Sequence, residues 1–383
     1  MRILYILRSM ALMAGTERVV SEKINWLADH GFTITLLTYE QGEHPVAFPL
    51  HANIHVVDID TVFYKYSHLS PIRKFIKYRK QKRLFAKRLK NVVDDFSPNI
   101  IITTAYSMEV AKQIAQVSGN AKLIMESHET CFSIGKEYTH QSHSLVRLMA
   151  HIYDKSFYRN MKGFDLVVCL TEGDAKEWRK HISRTEVIPN PLSYFPNLKD
   201  KKGEKEMCRI ISAGRLEPVK GYDMLVDAFS LIADKCPNWH VAIFGKGSRE
   251  GELRKQIENK GLENRVLVLP PTSNIYEEYQ KSDFYVLTSH HEGLGMVMLE
   301  AMSCEIPCVA YRCDYGPEEI IEHQRTGLLV KNGDVQSLAN AMLWMIEHPS
   351  ERIAMGKRAR EAVKKYDKEQ IMKKWERLFT SEL

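Results

Sequence analysis

Apolar residues fall along the first half of the chain in short runs. The runs Ile3–Leu7, Thr33–Leu37, Ile54–Val57, Ile100–Thr104, Leu123–Glu126 and Leu166–Leu170 are rich in aliphatic and β-branched residues, the composition of strands covered on both faces. Between them lie amphipathic stretches that predict helices over Thr16–Asp29, about 72–95, Ser107–Val117 and Asp174–His181. Strand and helix alternate, which predicts a mainly parallel sheet with helices on both sides. The segment Val187–Leu192 breaks the rhythm with two prolines around Asn190, and residues 197–207 are polar and charged, so a linker and domain boundary are expected here.

The same rhythm then restarts. Strands are expected at Arg209–Ala213, His240–Phe244, Val266–Leu269, Phe284–Leu287 and Cys308–Ala310. Helices are expected at Gly221–Ile232, Gly251–Lys260, Ile275–Lys281, Val297–Met302, Glu318–Glu322 and Val335–Glu347. A last helix, Asp367–Leu383, repeats Ile371, Trp375 and Phe379 at four-residue spacing. The whole reads as α/β, with two doubly wound, Rossmann-like domains, 1–189 and 190–366, followed by the helix 367–383. Ligands of such folds bind at the carboxyl ends of the strands, and a cleft between two such domains is the expected site.

Composition narrows the function. The 383 residues are 44% hydrophobic and 27% charged, an ordinary globular balance. No run is apolar enough for a spanning helix, and Met1 leads directly into a strand-like segment, so a cytoplasmic protein with reduced thiols is expected. Its seven cysteines are an odd set. Cys304, Cys308 and Cys313 cluster in sequence without the paired spacing of a structural zinc site, and read as small core residues. The net charge is +6, yet residues 72–90 alone carry ten Lys/Arg and no acid, so the basic excess belongs to one helix and not to a broad nucleic-acid footprint. Phe75, Ile76, Leu84, Phe85 and Leu89 interleave with those cations. The pattern suits a helix on an anionic membrane surface, and equally a solvated helix with an ordinary core side.

Two stretches carry chemistry. Ser289–Met302 follows an apolar strand and opens a helix; it contains Glu292, Gly293, Leu294, Gly295, Met296 and Glu300. Glycines let a ligand approach the backbone, a helix N-terminus suits phosphate, and two carboxylates eight residues apart can grip different hydroxyls of one elongated ligand. On spacing alone, two solvated glutamates fit as well. The second stretch, Ser212–Gly221, also joins a strand to a helix and holds Arg215 and Lys220, a planar fork and a point charge that can converge on a diphosphate.

Together these stretches resemble the retaining glycosyltransferases of GT-B fold known as family 4, or glycosyl transferases group 1. The resemblance covers nearly the whole chain. Its motifs are Glu292-x7-Glu300, Gly214-Arg215-Leu216 with Lys220-Gly221, Phe244-Gly245-Lys246-Gly247, Ile188-Pro189-Asn190 and Gly327-Leu328-Leu329-Val330. It implies two domains facing across a cleft, with the C-terminal helix 367–383 crossing back to join the N-terminal, acceptor-binding domain 1–189, while 190–366 binds the nucleotide sugar. It further implies that Glu292 holds the donor sugar, Glu300 the ribose, and Arg215 and Lys220 the diphosphate. Gly293, Leu294, Gly295, Met296, Gly245 and Gly247 would line the donor, and Arg265–Leu269, with Val268, the base. In the first domain Gly15 and Thr16 match the glycine loop near the acceptor, although Ala14 stands where the family often has a second glycine. His128 matches a histidine beside the reacting sugar. The donor would be a UDP-sugar and the acceptor a glycan or lipid-linked molecule. The enzyme would need no metal, and would sit in the cytoplasm or on the inner face of its membrane. Tyr315–Ile320 is similar to the corresponding segment in transferases of galactose or N-acetylgalactosamine.

Rival patterns are weaker. Asp58-Ile59-Asp60 looks like a metal–nucleotide motif but falls at a strand end. His290-His291-Glu292 are adjacent residues, which rarely share one metal. Gly245-Lys246-Gly247 lacks the third glycine of a dinucleotide fingerprint. A sugar-nucleotide epimerase or hydrolase, or a non-catalytic sugar-nucleotide binder, are the alternatives. The first asks for a clear proton-abstracting set, and the second for loss of Glu292, Arg215 or Lys220.

Overall fold

The computed structural model describes residues 1–66, 68–128, 158–198 and 207–382. The chain divides into one unit of Met1–Ile188 with Met372–Leu383, and a second of Pro189–Ile371.

In the first unit the strands are β1 (Arg2–Leu7), β2 (Thr33–Thr38), β3 (His55–Asp58), β4 (Ile100–Thr104), β5 (Lys122–Ser127), β6 (Leu166–Cys169) and β7 (Thr185–Val187). They form one sheet in the order β3-β2-β1-β4-β5-β6-β7, every neighbouring pair parallel. β1 and β4 are buried along nearly their full length, which explains their unbroken apolar runs. The helix Gly15–Asp29 turns Val19, Val20, Ile24 and Leu27 inward. The long helix Pro71–Phe96 does the same with Phe85, Leu89 and Val93, residues four apart.

The second unit contains β8 (Cys208–Ala213), β9 (Trp239–Phe244), β10 (Val266–Leu269), β11 (Phe284–Leu287), β12 (His291–Glu292), β13 (Cys308–Arg312), β14 (Asp314–Tyr315) and β15 (Gly327–Lys331). Six of them form a parallel sheet, β10-β9-β8-β11-β13-β15, while β12 and β14 pair separately. Helices Tyr222–Ser230, Glu250–Asn259 and Val335–Glu347 close a core of Leu225, Phe229, Leu253, Val286 and Met342.

Several expected boundaries move. Ser107–Val117 is not one helix: a 3-10 segment, Ala105–Val110, kinks at Ser107 before the helix Ala111–Val117. Gly221, at φ 60°, stays outside the helix that follows it. The helix expected at Glu318–Glu322 is Gly316–Ile320, because Pro317 suits a first turn. The last helix stops at Arg377 and ends in a π turn, Leu378–Glu382. Ile371, Trp375 and Phe379 are buried on it. The unit boundary falls inside this helix, after Ile371, and not at Asp367, where Leu192 bridges Asp367 and ties that residue to the second unit. Of the expected linker, residues 199–206 lie outside the described residues, as does Cys131.

Candidate active site

In each sheet the strand order reverses at one place: between β1 and β4 in the first, between β8 and β11 in the second. Loops leaving the carboxyl ends at such a reversal run to opposite sides and leave a crevice. In the second unit these loops carry the two candidate stretches.

The loops are knitted together by main-chain hydrogen bonds. Gly214 N donates to Phe244 O at 3.0 Å, Leu216 N to Lys246 O at 3.0 Å, and His290 N to Val219 O at 2.8 Å. The Thr288 hydroxyl donates to Lys220 O at 2.8 Å. Gly245 is demanded by this packing, since a Cβ there would collide with the Gly214 carbonyl oxygen; Gly247 lies equally close to the Leu216 backbone.

The decisive geometry is one contact. Lys220 Nζ lies 2.5 Å from Glu292 Oε1, joining residues that the sequence separates by 72 positions. The Ser289 hydroxyl donates to the same oxygen at 2.6 Å. The Lys220 and Glu292 side chains are 19% and 11% exposed, so a ligand can still reach them. Arg215 is exposed on the same loop as Lys220 and acts electrostatically on Glu217, whose carboxylate accepts from Ser248 N at 3.0 Å and from the Ser248 hydroxyl at 2.6 Å. Gly293 follows Glu292, Leu294 is buried, and Gly295, at φ 85°, precedes the helix Met296–Ser303. Glu300 lies inside that helix and is 4% exposed, so it is more deeply set than Glu292. Around Glu292, burial pushes the Tyr222 and Tyr285 hydroxyls up, and the Cys313 thiol up to about 12, with the Glu292 carboxylate adding to each shift. The site thus holds a cation and an anion amid protonated, neutral groups.

In the first unit, Gly15 and Thr16 open the helix Gly15–Asp29, and a Cβ on Gly15 would meet open space. Glycine is therefore not required there by the fold. His128 follows β5. Its Nε2 is 2.9 Å from Glu126 Oε2, which also receives Lys23 Nζ at 2.6 Å. Tyr5 donates to the other carboxylate oxygen. Lys23 and Glu126 are 1% and 2% exposed.

Family models match both halves: Glycosyltransferase Family 4 over residues 13–193, and Glycosyl transferases group 1 over residues 195–362. The chain belongs to this family of glycosyltransferases. It is similar to an uncharacterized glycosyltransferase of Haemophilus influenzae, 24% identical over 97% of this chain and 98% of that protein. It also matches the poly(ribitol-phosphate) alpha-N-acetylglucosaminyltransferase of Staphylococcus aureus, 33% identical over 60% of this chain and 46% of that one. Among solved structures, Anabaena HepE in complex with UDP superposes with a TM-score of 0.73 at 19% identity, over 100% of both chains. The fold is GT-B.

Other residues of this glycosyltransferase fall outside these two loops. Val268 is a core residue of β10, and its carbonyl accepts from Arg254 at 3.1 Å. Asp58 accepts from the Thr38 hydroxyl at 3.1 Å, and Asp60 turns at φ 42° with its carbonyl held by Arg88 at 2.7 Å, the geometry of a strand-ending turn. Cys304, Cys308 and Cys313 are buried, and burial pushes the Cys308 thiol far up. Among the described residues no helix is long and apolar enough to cross a membrane. Sequence reasoning passed over Ser289, Thr288, Lys23 and Glu126. The first two stood beside the Glu292 motif, and the latter two were signalled by charges inside apolar patterns.

The buried pair has a pH signature. Burial alone would raise the Glu126 carboxyl, but Lys23 and His128 outweigh it and hold it at about 2. Its folded value lies below the ordinary 4.5, so the stabilisation is complete above about pH 4.5 and is lost as pH falls toward 2. In the double variant Lys23→Met/Glu126→Gln this contribution to the acid limb should vanish. Urea unfolding between pH 5 and 3 checks it: the wild type loses more stability over that interval than the variant.

Proposed function

We propose that this enzyme transfers a hexose or N-acetylhexosamine from a UDP-sugar, with retained anomeric configuration, to a glycan or lipid-linked acceptor in surface polysaccharide or glycoconjugate synthesis. The observation that carries this reading is the Lys220–Glu292 contact at the strand-order reversal, framed by backbone loops. A cation there faces the phosphate region, and a carboxylate accepts from sugar hydroxyls. Arg215 and Lys220 neutralise charge growing on the departing nucleoside diphosphate. The diphosphate oxygen accepts the acceptor's proton as the new glycosidic bond forms on the face the leaving group quits, so no protein nucleophile is required. The UDP complex of HepE and the alpha-linkage in the name of the Staphylococcus relative support the donor class and the stereochemistry.

A panel of UDP-sugars, assayed for UDP release with and without glycan acceptors, tests the reading. Release that depends on acceptor, with an α-linked product by NMR, is the expected result; failure of calorimetry to detect UDP binding would overturn it. Glu300→Ala should weaken UDP binding about tenfold, the loss of one charge-assisted hydrogen-bond acceptor, in the same calorimeter.

The basic helix supports a membrane-side location. Phe85 and Leu89 belong to the core, so they leave the surface pattern. Phe75 and Ile76 are 62% and 60% exposed, among exposed Arg73, Lys77, Arg79 and Lys80. Apolar residues ringed by cations fit an anionic bilayer surface. Co-sedimentation with phosphatidylglycerol vesicles checks this: Phe75→Asp/Ile76→Asp should abolish it while leaving UDP binding intact.

A further inference from the structure

Charged groups are seldom fully buried, and their partners say what they do. In the first unit a lysine, a glutamate, a tyrosine and a histidine meet beneath the carboxyl edge of the sheet. Glu126 accepts from Tyr5 on one oxygen, and from Lys23 at 2.6 Å and His128 Nε2 at 2.9 Å on the other. Lys23 also donates to the Tyr5 hydroxyl at 3.2 Å and sits 4.0 Å over the Trp375 ring of the C-terminal helix. An acceptor of three hydrogen bonds held as a carboxylate donates none, so the hydrogen toward it belongs to His128 Nε2. With Nε2 donating to this carboxylate, the neutral ring is the Nε2–H tautomer and its Nδ1 is an acceptor. His128 Nδ1 is buried and has no hydrogen-bond partner among the described residues, and the side chain is 2% exposed. A buried orphan acceptor of this kind is costly unless a ligand completes it. Glu17, half-buried in the first turn of the helix that Gly15 opens, also interacts electrostatically with the ring.

Resting on the glycosyltransferase reading above, we propose that Glu126 is a positioning residue: braced by Lys23 and Tyr5, it fixes the Nε2–H form of His128 and presents bare Nδ1 as the acceptor for a hydroxyl of the carbohydrate substrate. Trp375 seats Lys23 and so belongs to the same assembly.

The test uses the full chain with 15N-labelled histidine, the His128 signals being assigned by their loss in His128→Asn. Because Glu126→Gln alone strands a buried lysine and can fail to fold, Lys23→Met/Glu126→Gln is the principal variant. The wild type should show a protonated Nε2 and a bare Nδ1, and the double variant a mixture of tautomers. With the UDP-sugar that releases UDP in the screen above, kcat of the double variant should fall about 10- to 100-fold, the scale on which partners orienting a histidine act. Donor KM should stay within about threefold of the wild type. On a His128→Asn background the same two substitutions should change kcat by less than about threefold, since they act through the ring. An Nδ1–H ring in the wild type, an unaltered tautomer in the variant, or a loss that persists in full without His128 would each overturn the assignment. If no UDP-sugar is turned over, the transfer reading fails instead, and the ring spectra still decide the role of Glu126.

Discussion

Lys220→Ala should lower kcat by about 10²- to 10³-fold, the scale of removing one preorganised group that stabilises developing charge. Lys220 is the cation the structure sets against Glu292, held in place by the Thr288 hydroxyl on its carbonyl. UDP affinity should change by less than about tenfold, because Arg215 and the backbone loops remain and the lost interaction is strongest in the transition state. Single-turnover rates beside calorimetric UDP titration separate the two quantities. Equal losses in both would reduce Lys220 to ground-state binding, and unchanged kinetics would remove it from the site altogether.

The second large effect is structural in origin. Gly245→Ala puts a methyl group against the Gly214 carbonyl oxygen and the Leu216 side chain, where two loops approach at backbone distance. The Gly214 oxygen is main chain and cannot swing aside, and the Leu216 side chain is fully buried. The loops must part, straining the Gly214 N–Phe244 O and Leu216 N–Lys246 O bonds. Overpacking of this kind costs about 1–3 kcal/mol. A shift of about 1 Å near a reacting centre costs about 100-fold in rate. Both losses should appear, in urea titration and in kcat/KM. Gly251→Ala is the matched control: it lies in the helix Glu250–Asn259 with nothing near a new Cβ, and should be neutral or stabilising by up to about 1 kcal/mol.

The central strands were legible because a parallel sheet covered on both faces demands continuous apolar runs, and β1, β4 and β11 have them. β7 escaped because three residues carry no period. β15 was visible only as the motif Gly327–Val330. The helix Pro349–Val363 escaped because charges surround it and Gly356 interrupts it. That glycine admits the Glu305 carbonyl, a contact invisible in one dimension. At the site, residue types and order were readable, but their meeting was not. Lys220 and Glu292 touch only because β8 and β11 are neighbours in space. Lys23 was readable in hindsight: it stands four residues after Val19 and four before Leu27, a lysine on an apolar stripe, and such a residue calls for a buried counter-charge.

The contact between Lys220 and Glu292 also bears, on the proposed reading, on which molecules the enzyme would pass over. Each charge quenches the other, so a stray anion must pull the ammonium away from its carboxylate, and a stray sugar must do the reverse. A molecule carrying phosphate at one end and a polyol at the other compensates both in a single event. On the proposed reading the ion pair would act as a coincidence detector, answering to a ligand that offers both groups and not to a free phosphate or a monosaccharide alone.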